Sequence, residues 1–380
     1  TVGWLVYDMT GSGSLLGLVN GARSIPMMLF GPVGGVAADR LNRKMLMQAT
    51  QAFLMVISFL LAVSLALDRV ALWHIFAFTV LSSIAWALNQ PVRQTVVFDI
   101  VPRQAIANAV ALNASAFNFT RTLGPAVAGL LIGWLGPADN FYVQGAMYLG
   151  VGITTFPMVV PPTQGEARKR QSPLRDFSEG LSYVLHERAI LVLLVFGMFP
   201  MLVAMPYMSL MPVFAKDVFH KGPGVLGFLM AVAGLGGLIG ALFAASLGSF
   251  ERRGLLQLGA MVVFGLGLLG LAFSQNLWEA APSLVLAGFG QMTFMATNQA
   301  MLQMRTSNEM RGQVTSLMMM NIGLMPLGTM FAGLATDIWG AQATVAVMGA
   351  LCVTLSAAMF LWVPQVRDAR LNVPSPVQRT

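Results

Sequence analysis

Two arginines, Arg23 and Arg121, stand inside long apolar stretches, and each has an asparagine three residues before it, Asn20 and Asn118. On a helix that spacing puts each pair on one face. A guanidinium carries five donors in a planar fork that fits a carboxylate or another oxyanion, and an amide adds both donors and acceptors. Such pairs suit recognition of an anionic or catechol-like polar molecule. Arg121 lies about fifteen residues into its apolar run, so its side chain reaches neither end easily. A charge at that depth of a bilayer costs at least ~2.5–3.5 kcal/mol on insertion scales. Water in a cavity, backbone carbonyls, an acid or an anionic substrate must offset it. Both arginines therefore carry two readings, substrate binding and a structural role on backbone carbonyls. Gln291, Met295 and Asn298 recur at helical spacing in a later apolar stretch. Gln291 and Asn298 join Arg121, Asn118, Arg23 and Asn20 as candidate substrate contacts.

A second cluster lies between two apolar runs, the first of them the one that holds Arg23. Gly34 to Lys44 contains one carboxylate, Asp39, and three cations, Arg40, Arg43 and Lys44. Both flanking runs exceed the ~20 residues that cross a bilayer. The link between them is too short for a domain, so the two helices form an antiparallel hairpin with the cluster at one membrane face. Gly34 and Gly35 allow close helix approach there.

The elements that must position these residues follow from composition. Hydrophobic residues are 56% of the 380, charged residues 10%, and mean hydropathy is +0.72. A soluble core cannot absorb that much apolar surface, so the chain reads as an all-α polytopic membrane protein. Apolar runs predict spans near 14–38, 45–67, 71–92, 105–135, 142–160, 189–212, 224–248, 255–274, 281–303, 313–337 and 342–363. The net charge of +7 does not point to nucleic acid, because all the cations but Arg23 and Arg121 lie in loops between spans or in the tail. One set of loops with the C-terminal tail carries 17 Lys and Arg, the opposite set 3. The positive-inside rule puts the first set, and the C-terminus, in the cytoplasm.

The chain also repeats itself. Shifting residues 108–136 forward by 204 brings Val110, Leu123, Gly124, Ala128, Gly129, Leu130 and Gly136 onto Val314, Leu327, Gly328, Ala332, Gly333, Leu334 and Gly340 without a gap. Parallel repeats of helices mark several transporter folds. On this register 1–160 is a first transmembrane half, 161–188 a polar linker, 189–364 a second half and 365–380 a tail. The repeat partner of the first helix of the second half falls at and before the first residues. Thr1 to Met9 are therefore expected to be the outer end of a first helix that is largely missing, followed by helices 2–6.

At the Gly34–Lys44 cluster the sequence resembles major facilitator superfamily transporters. The pattern Gly-x-x-x-Asp-Arg-x-x-Arg-Lys is similar to their loop between helices 2 and 3, with Gly35, Asp39, Arg40, Arg43 and Lys44 on its positions and Asn42 departing from it. The resemblance implies two six-helix halves that rock about a central site. It also implies that Asp39 faces the positive N-terminus of the eleventh helix, near Gly312 to Thr315, and latches the outward-facing state. Arg93 and Asp99 are candidates for the same charge network. In the second half Gly248 replaces the aspartate. Gly124, Pro125 and Gly129 resemble a Gly-Pro-x-x-Gly-Gly element in the fifth helix of antiporters of this superfamily, with Thr120 and Ala128 departing from it.

Leu5 to Thr10, Gly34 to Lys44, Val101 to Ala109 and Arg121 to Gly129 resemble most the bacterial branch that includes the enterobactin exporter. That branch implies a proton-driven exporter of a small, siderophore-like molecule. A multi-pass monomer in the bacterial inner membrane is expected. A hydrophobic-drug exporter of the same fold is the alternative. Nineteen of the 27 methionines follow residue 188, and methionine suits surfaces that accept varied ligands. It also serves as core filler. A receptor or membrane-embedded enzyme is disfavoured: no catalytic triad, paired carboxylates, metal-ligand spacing or phosphate loop appears, and no cofactor or metal is expected.

Overall fold

The computed structural model describes residues 1–27, 29–30, 34, 37, 41–160, 182–247, 250, 252–307, 310, 314, 317 and 325–367. Within helices, some side chains between 94 and 126 also lie outside the description, among them Asp99, Asn118, Arg121 and Pro125. The secondary structure of the described residues is all helical, with no strand among them. Six described helices are long and apolar enough to cross a membrane. Two compact units are present, one of residues 1–168 with 221–228 and one of 169–220 with 229–380.

The first unit holds α1 (Val2–Thr10), α2 (Gly13–Ala22), α3 (Arg43–Ala66), α4 (Leu72–Ile100), α5 (Ile106–Leu135) and α6 (Pro137–Thr155). Gly11 ends α1 in the left-handed conformation, and the Ser12 hydroxyl then accepts from the Leu15 N–H to cap α2. The Asn42 side chain caps α3 in the same way through the Met45 N–H. α3 and α6 run antiparallel. Lys44 lies over the Phe156 ring, and farther along Gly145 sits against Phe59, which also meets Tyr142. Asn89 of α4 donates to the Thr50 hydroxyl of α3 at 2.6 Å, both buried. Gly34 makes the close approach expected of it: an added Cβ would stand 2.4 Å from the Ala87 carbonyl oxygen of α4.

The second unit holds α7 (Arg188–Val218), most of α8 (Pro223–Ser246), α9 (Arg253–Phe273), α10 (Leu277–Arg305), α11 (Met325–Trp339) and α12 (Ala341–Trp362). Small residues set its helix spacing. A Cβ on Gly267 of α9 would meet the Ala287 nitrogen of α10 at 2.4 Å, and one on Gly265 the Gly349 carbonyl of α12 at 2.7 Å. Lipid tails are as apolar as leucine, so such close backbone packing replaces the hydrophobic drive of water. Val184, from the end of the expected linker, is buried with Ile190, Leu193, Leu194, Met301 and Leu302.

Several spans depart from their sequence-based outlines, among them the one expected at 142–160, which is α6 at Pro137–Thr155. α4 continues through Pro91 to Ile100, beyond the expected end at residue 92. α7 is longer than the expected 189–212 and irregular: an α-helix to Phe199, a π-turn over Pro200–Ala204, 3₁₀ geometry over Met205–Leu210, and a second π-turn over Phe214–Val218. Pro200, Pro206 and Pro212 each lack an N–H, which explains why the ladder changes register repeatedly.

Candidate substrate-binding site

Arg23 marks an interruption in the span expected at 14–38. α2 stops at Ala22, Arg23 turns, and residues 24–27 are helical again. Pro26 cannot donate to the Ala22 carbonyl four residues earlier, so the helix is weakened there. Arg23 is exposed and Asn20 half-buried. The Asn118 and Arg121 positions lie on one uninterrupted helix, α5, which keeps their i, i+3 relation on the backbone. Their side chains lie outside the described residues.

In the second unit, Gln291 and Asn298 of α10 are both buried and face different partners. The Tyr207 hydroxyl, fully buried on α7, donates to Gln291 Oε1 at 3.3 Å. Gln257 of α9, also fully buried, donates through Nε2 to Asn298 Oδ1 at 2.7 Å. Asn298 also fills a slot on α7, where a Cβ at Gly197 would lie 2.5 Å from its Nδ2. Gln257 Oε1 and the Thr297 hydroxyl have no hydrogen-bond partner. α7, α9 and α10 thus enclose a strip of polar side chains in an apolar bundle. Buried amides of this kind need partners, and here they find them mostly in one another.

Sequence reading missed Tyr207 and Gln257. The six-residue spacing of Pro200, Pro206 and Pro212 was the available signal, since it foretold a broken helix beside Tyr207. Pro206 leaves the Leu202 carbonyl without its i+4 donor. Gly328 of α11 packs there, and a Cβ on it would fall 2.1 Å from that oxygen.

Of the latch residues, Arg43 and Lys44 open α3, the first half-buried and the second 5.6 Å from the Phe156 ring centroid. Arg93 is exposed on α4. Gly35, Asp39 and Arg40, and the Asp99 side chain, lie outside the described residues. In the antiporter-like element α5 is continuous through Pro125, whose side chain is likewise outside the description. Gly124 has open space around it, whereas a Cβ at Gly129 would meet backbone at 2.0 Å. No group of His, Cys, Asp or Glu that could hold a metal occurs among the described residues.

Long apolar helices with a strip of buried polar side chains among them define a polytopic membrane protein. The family model of transmembrane secretion effectors matches residues 1–376, and the chain belongs to that family of major facilitator transporters. It is 24% identical over 356 residues to the staphyloferrin A transporter of Staphylococcus aureus, across 93% of this chain and 89% of that one. It is 24% identical over 356 residues to macrolide efflux protein A of Streptococcus pyogenes, across 92% and 87% of the two chains. Among solved structures, a bacterial homologue of the human lysosomal transporter Spinster superposes with a TM-score of 0.76 at 15% identity, covering 96% of this chain and 92% of that one. The last likeness supports the major facilitator fold alone. The resemblance read from Gly34–Lys44 is thereby borne out.

Proposed function

We propose that the protein is a proton-driven exporter of a small anionic or siderophore-like molecule in a bacterial inner membrane. It has two six-helix halves joined by residues 161–188, and that linker and the C-terminus lie in the cytoplasm. The observation that carries the substrate class is the pair of intramembrane arginines, Arg121 and Arg23, each one helical turn from an asparagine. The relative named for staphyloferrin A transport supports the same class. In this reading Arg121 and Asn118 hold the anion, Arg23 and Asn20 assist, and the two halves expose the site alternately to each face. Asp39, with Arg40, Arg43, Lys44, Arg93 and Asp99, latches the outward-facing state from the cytoplasmic side. Gly124, Pro125 and Gly129 shape the fifth helix for exchange against protons. The deciding experiment is uptake into inverted proteoliposomes bearing full-length protein, with carboxylate and catecholate siderophores and with a macrolide, with and without a pH gradient. Gradient-dependent accumulation of a siderophore supports the proposal.

Hydrophobic drug export is the second reading, favoured by the relative named for macrolide efflux and by the methionine-rich second half. Accumulation of the macrolide alone would select it.

A further inference from the structure

A groove of about 450 Å³ runs between α3 and α6, inside the first unit. Its α3 wall is Gln48, Ala52 and Met55, at i, i+4 and i+7, and its α6 wall includes Leu149, Gly152 and Ile153, with Phe156 at one end. The volume is in the range of small-molecule pockets. The walls are nearly all apolar, and neighbouring Val56, Leu60, Met147 and Val151 are exposed. In a membrane transporter, an exposed apolar face of this kind is turned to lipid. The groove therefore opens on acyl chains, not on water.

Two features make it more than a lipid-wetted crevice. Gln48 lines it, and the Gln48 Nε2 is buried without a hydrogen-bond partner. A buried orphan donor costs free energy unless a ligand accepts from it. One turn earlier, at the Phe156 end, Lys44 lies over the Phe156 ring, with Arg43 beside it in the sequence. A cation such as Lys44 in the first turn of a helix runs against its dipole, and an anion beside it offsets that cost.

We propose that this groove binds one anionic phospholipid from the leaflet on the Lys44 side. One acyl chain lies along Met55, Leu149 and Ile153. An ester carbonyl accepts from the Gln48 amide. The phosphate sits at Lys44. Charge complementarity favours an anionic over a zwitterionic headgroup, because one lysine near a membrane surface is worth about a fivefold preference.

The test uses full-length protein exchanged into phosphatidylglycerol or phosphatidylcholine and examined by native mass spectrometry for retained lipid. The Gly152 position has no atom within 4 Å of a Cβ. A side chain on Gly152 therefore starts in open space, and Gly152→Trp, which fills the groove, should abolish retention of the bound lipid. Ala52→Phe fills it from the other wall and gives an independent variant should the first not fold. Lys44→Gln should lower the preference for phosphatidylglycerol by about fivefold, and Gln48→Leu should weaken both lipids. Undiminished retention in a folded groove-filled variant overturns the site. Equal retention of the two lipids by the unsubstituted protein overturns the anionic specificity.

Discussion

Gly136 and Gly340, 204 positions apart, hold the same backbone conformation, with φ and ψ of 89° and 171° in the first and 82° and 160° in the second. Each closes one helix and opens the next, α5 to α6 and α11 to α12. The internal repeat is thus written in dihedral angles as well as in residue identities. Only glycine populates this region readily, and other residues pay about 1–3 kcal/mol there. A Cβ at either position has no neighbour within 4 Å, so the cost is purely backbone. Gly136→Ala and Gly340→Ala should each lower unfolding free energy by about that amount. Thermal denaturation in detergent, with Gly150→Ala as a helical control in open space, measures it. Two unshifted transitions would sink the argument.

The Gln257–Asn298 bond permits a test of two roles for Asn298. If the bond is structural, Asn298→Leu should cost about 0.6–2 kcal/mol, the range for hydrogen bonds between membrane helices. Gln257→Leu combined with it should restore part of the loss, because no amide is then left unpaired. Substrate affinity should fall only if Asn298 also meets substrate. Measuring stability and binding on the single and double variants separates the two.

At the break in α7, Gly328→Ala drives a Cβ into the Leu202 carbonyl. The expected destabilisation is about 1–3 kcal/mol, as for other overpacked sites. Pro206→Ala supplies the missing N–H to that carbonyl. It should straighten α7 and move Tyr207 away from Gln291. Fluorescence from a probe attached near Tyr207 would report the shift, and an unchanged signal in a folded variant would show that the prolines do not set the bend.

Arg121 is the position where the substrate proposal is most exposed. Arg121→Lys keeps the charge and loses the planar fork, so it should impair recognition of an oxyanion. Arg121→Met copies Met325, its partner in the repeat. It should leave a folded, inserted protein that no longer binds. Full affinity in Arg121→Met removes the arginine from the binding site. Misfolding of both variants assigns it a structural role.

For the latch, Asp39→Asn removes the charge proposed to meet a helix N-terminus, an interaction worth about 0.3–1 kcal/mol at exposed sites. Transport should slow while substrate affinity is kept. Binding and transport assays on the same preparation decide, and lost affinity with normal exchange contradicts the assigned role.

Much of this protein is legible from one dimension. Long apolar runs fixed helices and membrane class, because the bilayer demands internally bonded segments of bounded length. The Gly34–Lys44 pattern and the 204-residue repeat fixed the superfamily, and Gly34 against Ala87 shows why a small residue stands there. Only the tertiary structure decided which polar groups meet. Gln291 and Asn298 share a helix and a spacing, yet one faces Tyr207 and the other Gln257, on different neighbours. Periodicity names the face of a helix and not the helix that will cover it. The irregular course of α7 belongs to the same class of fact. Three prolines announce that hydrogen bonds will be lost, but the freed Leu202 carbonyl meets Gly328, more than a hundred residues away, and that pairing depends on how whole helices pack.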